Sequence, residues 1–132
     1  MLPTWTPGTP AVLCVTGPHA IPVSSYVRAA DDRIVVALGA RRETLARLRE
    51  DPATAFCVLG LGVAFTAHCR ASVIKERLES ASGNAAVALV VERVQDHLAD
   101  GRTEILDGAS WLWIDQEAAE LQPLILEELR AL

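Results

Sequence analysis

The sequence predicts a mainly β protein, an antiparallel barrel of six to seven strands with one short helix after strand 3 and a C-terminal helix. Three observations carry this reading. Short apolar runs rich in β-branched residues follow one another closely, each bounded by Gly, Pro, Asp or Asn. Only the stretches after Gly39 and after Asp115 have helix-type composition and spacing. With 132 residues, 51% of them apolar, the chain can bury one respectable core but is too short for two ordinary domains.

The elements follow in order. Met1 to Pro10 carries three prolines and reads as a coil leading into a strand. Ala11 to Thr16 is the first strand, and Gly17-Pro18-His19-Ala20 has turn chemistry before a second run, Ile21 to Arg28. A period of two sets Val23, Ser25 and Val27 on one face of that run and Ser24, Tyr26 and Arg28 on the other. Ala30-Asp31-Asp32 turns into a third strand, Ile34 to Leu38. Arg41 to Glu50 is then a helix with Leu45 and Leu48 on one side, closed by Pro52. Ala55 to Leu59 is the fourth strand. In the fifth, Val63, Phe65, Ala67, Cys69, Ala71 and Val73 form a core face, and Thr66, His68 and Arg70 a polar face turned to solvent or to a dimer partner. A loop at Ser80 to Asn84 precedes a sixth strand, Ala86 to His97. Asp100-Gly101 is a turn, and Trp111 to Ile114 is a last short strand with both indoles on one face. Asp115 caps the terminal helix, which Pro123 kinks or splits, and Leu121, Leu124, Ile125, Leu129 and Leu132 form its packing stripe.

Composition excludes several classes. No apolar run approaches the eighteen residues a membrane helix needs, and the N-terminus lacks the basic and apolar regions of a secretory signal. Cys14, Cys57 and Cys69 sit inside apolar runs rather than at disulfide or zinc spacings, so they are expected to be small core residues of a reduced, cytoplasmic protein. His19, His68 and His97 have no metal-ligand spacing, so no metal centre is expected. No GxSxG or comparable signature marks a catalytic side chain. The net charge of −5 argues against nucleic acid.

One constellation carries chemistry. Arg41 and Arg42 stand at the start of the first helix, where the backbone's partial positive charge disfavours cations, and Glu50 and Asp51 stand at its end, where anions are disfavoured. Two guanidinium forks beside free backbone N–H groups suit a phosphate dianion. Taken alone, the pair fits a solvated surface equally well.

With that pair in view, the chain resembles the pyridoxamine 5'-phosphate oxidase-like family of FMN-binding split barrels. The resemblance runs from Ala11 to about Val73, through AVLCVTG, GPHAIPVSS, DDRIVVALG, RRETLARLREDP and ATAFCVLG in that order. It implies a single split-barrel domain over residues 1–132, with residues 1–10 as the coil. It also implies FMN held by its phosphate on Arg41 and Arg42, with Ser24, Ser25, Tyr26, Val27, Ala37 and Leu38 lining the flavin. A homodimer with the flavin at the subunit interface is implied too, acting as an oxidoreductase on a small-molecule substrate with no protein side chain as catalyst. The departures are a coil where the family usually has a helix before the first strand, and Ser25 where larger residues are common. The long C-terminal region with a substrate-binding arginine and histidine is also missing, so vitamin B6 synthesis is not expected. Two alternatives keep the fold: a non-catalytic module that binds or senses a flavin or haem, and a reductase that uses a deazaflavin.

Overall fold

The computed structural model describes residues 1–132 and contains seven strands and two helices. The strands are β1 (Ala11–Val15), β2 (His19–Val23), β3 (Tyr26–Ala30), β4 (Arg33–Gly39), β5 (Ala53–Gly60), β6 (Val63–Lys75) and β7 (Asn84–Asp96), and the helices are α1 (Glu43–Glu50) and α2 (Gln116–Ala131). All seven strands form one antiparallel sheet in the order β2-β1-β5-β6-β7-β4-β3. The sheet curls into a half-barrel, helped by register shifts in β6–β7 at His68/Cys69 and Val73/Lys75, since a bulge adds local twist.

Alternation along the strands builds two cores. The inner one gathers Leu13, Phe56, Val58, Phe65, Val87 and Leu89, with Leu45 and Leu48 of α1 packed into it. The fifth-run face expected to be core is the one that is buried, Phe65, Ala67, Cys69 and Ala71 fully so. A smaller core lies on the outside of β3, β4 and β7, where Val27, Val35 and Ala86 meet Ile125 and Leu129 of α2. Burying β4 on both sides accounts for its nearly continuous apolar sequence.

Several expectations need correction. Residues 21–28 are not one strand. The chain breaks at Ser24–Ser25, and β2 and β3 lie at opposite edges of the sheet. The break reverses the side-chain parity, so Val23 and Tyr26 share the inner core while Val27 turns out towards α2. Residues 111–114 form no strand and pair with neither edge strand, β2 or β3. The first helix starts at Glu43, with Arg42 as its N-cap and Arg41 in the preceding turn. Its first turn therefore carries Glu43 rather than the arginines, while its C-terminal end is mixed, with Arg47 and Arg49 beside Glu50 and the C-cap Asp51, so only the N-terminal half of the expected reversal is removed. On α2, Gln122, Ile125 and Leu129 are buried, whereas Leu124 and Leu132 face outward.

Pro123 lies inside α2 without dividing it, and Asp115 caps the helix by accepting from the backbone N–H groups of Glu117 and Ala118. Cys69 is in the core as expected, whereas Cys14 and Cys57 are half-buried on the outward face of β1 and β5. The N-terminal coil packs against the barrel. Leu2 N–H donates to the Asp31 carbonyl at 2.8 Å, Arg28 donates to the carbonyls of Leu2 and Pro3, and the Trp5 indole N–H donates to the Tyr26 hydroxyl at 3.0 Å. Trp5 also packs on Phe65, with ring centroids 5.1 Å apart. No helix is long and apolar enough to cross a membrane.

Candidate functional site

The two edges of the sheet meet where the chain steps from β2 to β3. Ser24 and Ser25 bridge that seam, and β4 is tied to it by the Ala37 N–H donating to the Ser25 carbonyl at 2.9 Å. A cavity of about 310 Å³ opens here. Its wall brings together Ser24, Ser25, Ala37, Leu38 and Arg42, five of the eight residues the resemblance points to. Tyr26 and Val27 are chiefly core residues and border a neighbouring cavity instead. Arg41 is exposed and lines neither. The wall also includes residues 21–23, Gly39, Asn84 and Trp113, none of them among those eight. Asn84 opens β7 opposite Gly39 in the β4–β7 register, a proximity that only the strand order creates.

Arg42 is the only charged side chain in this wall. As N-cap it has extended backbone (φ −73°, ψ 145°), and its side chain makes no capping bond because a guanidinium has no acceptor. The Glu43, Thr44 and Leu45 N–H groups therefore lack the side-chain acceptor that normally serves a helix start. The side chain folds over Gly39, where a Cβ would come within 3.1 Å of its Cγ, and it forms no ion pair. On the far side of the helix start, the His19 ring nitrogen Nε2 pairs with the Thr44 hydroxyl at 2.9 Å. Glu43 bonds to Arg47, which holds its carboxyl below the usual range and keeps that negative charge occupied. A basic, hydrogen-bond-donating corner on a chain of net charge −5 is chemically suited to an anion.

No protein-family model matches the sequence, and no curated protein matches it. Solved structures do share its architecture. A Listeria innocua protein provisionally named a pyridoxamine 5'-phosphate oxidase superposes with a TM-score of 0.55 at 17% identity, over 67% of this chain and 88% of its own. BorF, the flavin reductase component of a bacterial two-component tryptophan halogenase, gives 0.55 at 15% identity over 68% of this chain and 80% of its own. An F420 reductase gives 0.55 at 7% identity over 67% and 90%. The fold is the split barrel of the pyridoxamine 5'-phosphate oxidase-like proteins.

Around this split barrel the segment between β7 and α2 wraps back towards the seam. It is anchored by the Gly62 N–H donating to the Ile105 carbonyl at 2.9 Å and by the Trp111 indole N–H donating to the Gly8 carbonyl at 2.8 Å. It sets Trp113 into the wall of the seam cavity. α2 closes the other side. The Ser25 hydroxyl donates to Gln122 Oε1 at 2.8 Å, and Gln122 Nε2 lies 3.5 Å from the Ser24 carbonyl. The polar face of β6 is exposed, its side chains engaged locally: His68 Nε2 with Gln95 Oε1 at 2.7 Å, and Thr66 with His97 at 2.8 Å.

Proposed function

We propose that this split barrel binds a flavin, FMN or a deazaflavin, and works as an oxidoreductase on a small-molecule substrate. One observation carries the reading. An unpaired Arg42 at an uncapped helix N-terminus faces a cavity at the barrel seam. Arg42 and the N–H groups of Glu43 to Leu45 would hold the phosphate, with Arg41 adding longer-range charge from the turn. Ser24, Ser25, Ala37, Leu38 and Trp113 would border the remainder of the cofactor. Bound there, the isoalloxazine or deazaflavin ring supplies the electron-transfer chemistry. The protein contributes position and electrostatics, in keeping with a cavity wall whose only charged side chain is the permanently cationic Arg42.

The fold neighbours support the cofactor class, since one is a flavin reductase and another an F420 reductase. Size supports a homodimer. At about 310 Å³ the cavity is at the low end of the roughly 300–1,000 Å³ of small-molecule sites, so a second subunit would complete the enclosure. A non-catalytic flavin-binding module is the second reading, favoured by the same lack of titratable groups.

The test is an absorbance and fluorescence titration with FMN and, in parallel, the F420-type deazaflavin, together with the mass in solution. One cofactor per chain in a dimer, reducible and reoxidised by an acceptor, supports the oxidoreductase. Binding without turnover selects the second reading, and no binding of either cofactor at micromolar concentration rejects both.

A further inference from the structure

A second cavity, of about 440 Å³, adjoins the first and shares Ser24 and Trp113 with it. It lies between the 111–113 segment and α2. Trp111 and Trp113 pack edge to face against each other in its wall, with ring centroids 5.3 Å apart and planes at 82°. Each indole is 39% exposed, so apolar ring surface beyond their mutual contact is open to a ligand in the cavity. The Trp111 N–H is spent on the Gly8 carbonyl, while that of Trp113 has no protein partner. Two arginines and no carboxylate line this cavity. Arg28 is committed to Asp31 and to the backbone of Leu2 and Pro3, but Arg130, in the last turn of α2, forms no ion pair.

We propose that this cavity binds a flat aromatic anion, stacked on Trp111 and Trp113 with its acidic group on Arg130. A planar ring suits two indoles at right angles, which offer one face and one edge. An anion suits a lining whose only charged residues are arginines, one of them unpaired. The bland role for Arg130, a cation complementing the end of α2, needs neither the cavity nor the exposed indoles. Binding here does not require a flavin in the first cavity. Only the assignment of the ligand as the redox partner of a flavin rests on that reading, because the shared Ser24 and Trp113 would put the two side by side.

The experiment is isothermal titration calorimetry of the full chain, without flavin, against 2-naphthoate, 2-naphthamide and acetate. 2-Naphthoate should bind, 2-naphthamide about tenfold more weakly for want of the charge-assisted bond, and acetate not measurably. Arg130→Ala should bring 2-naphthoate down to the 2-naphthamide level without changing 2-naphthamide itself. Trp113→Ala should weaken both, and Trp113→Phe should recover most of the loss, which separates stacking from misfolding. Arg42→Ala should leave 2-naphthoate unaffected, and Arg130→Ala should leave FMN affinity unaffected. The proposal is overturned if 2-naphthoate fails to bind at millimolar concentration, if 2-naphthamide binds as well, or if Arg42→Ala costs as much as Arg130→Ala. An FMN affinity that falls as far in Arg130→Ala as in Arg42→Ala also overturns it, by giving the cavity to the cofactor. Failure of FMN to bind, with 2-naphthoate behaving as expected, rejects the flavin and leaves this site standing.

Discussion

Replacing Glu128 tests whether α2 is an integral part of the barrel. Its carboxylate is mostly buried and accepts four bonds from the end of β6 and the segment that follows it: Lys75 Nζ at 2.7 Å, Glu79 N at 2.9 Å, Ser80 N at 2.8 Å and Ser80 Oγ at 2.7 Å. Burial alone would raise its pKa, but the bonds from Lys75, Ser80 and Glu79 outweigh it and hold the value at about 2. Charge-assisted bonds contribute about 1.5–3 kcal/mol each when isolated from water. Here the Lys75 side chain is 29% exposed, and the Glu79 and Ser80 N–H groups can turn to solvent, so much of that sum is regained on deletion. The net cost of Glu128→Ala is then about 2–3 kcal/mol, or about 10 °C in Tm for a domain of this size. A depressed carboxylate pKa stabilises the fold above the unfolded value near 4.5, and that contribution disappears as pH falls through about 2. The gap between wild type and Glu128→Gln, measured by urea unfolding, should therefore be full at pH 7 and shrink between pH 4.5 and 2. A change below about 0.5 kcal/mol, or a gap independent of pH, would refute the claim that this carboxylate fastens α2.

Three further outcomes follow from the same geometry. Arg42→Ala should weaken FMN binding about 10- to 150-fold, the equivalent of one charge-assisted bond, and Arg41→Ala by much less, because only Arg42 lines the cavity; spectroscopic titration of the two variants compares them directly. Phe56→Ala, at a fully buried ring set edge-on to Tyr26 with centroids 5.0 Å apart, should cost about 3–5 kcal/mol by chemical denaturation. Gly17→Ala should cost about 1–3 kcal/mol in the same assay, because φ is +134° and the new Cβ would displace Arg47 from the Thr16 carbonyl.

The barrel was legible because the fifth run alternates cleanly from Val63 to Val73 and because turn residues separate most of the strands. What the alternation could not show is where a strand ends without a turn residue. Val23-Ser24-Ser25-Tyr26 contains no Gly or Pro and keeps a period of two, yet the chain breaks there because β2 and β3 need partners at opposite edges. Residues 111–114 likewise have a composition that favours a strand, yet they pair with neither edge and are held instead by the Trp111 indole on the Gly8 carbonyl and by packing on the barrel. The start of α1 slipped by two residues because arginine is a good helix former and no Ser, Thr, Asp or Asn marks the cap. That small slip matters. It takes both arginines off the helix, removes the N-terminal half of the apparent charge reversal, and leaves Arg42 free to fold over Gly39. Trp113 and Asn84 reach the site only through long-range packing, which local pattern does not encode.

The position of the site follows from the seam itself. A closed barrel pairs every edge, but β2 and β3 do not pair with each other, so the last strands on either side leave backbone groups that must be served by something else. On this chain the service is irregular: Ala37 takes the Ser25 carbonyl, and Gln122 takes the Ser25 hydroxyl and approaches the Ser24 carbonyl. Such an edge is polar and concave, and it lies beside the start of α1, where the N-cap Arg42 makes no capping bond and lines the cavity. A ligand bound there can complete hydrogen bonding that the sheet leaves unfinished, which a cavity in the fully paired wall of β5 to β7 could not offer. This is also why Gln122 is worth its burial at 9% exposure. Replaced by leucine, it would still fill the space under α2 but would leave the Ser25 hydroxyl without its acceptor at the wall of the cavity, so the effect should fall on ligand affinity more than on folding.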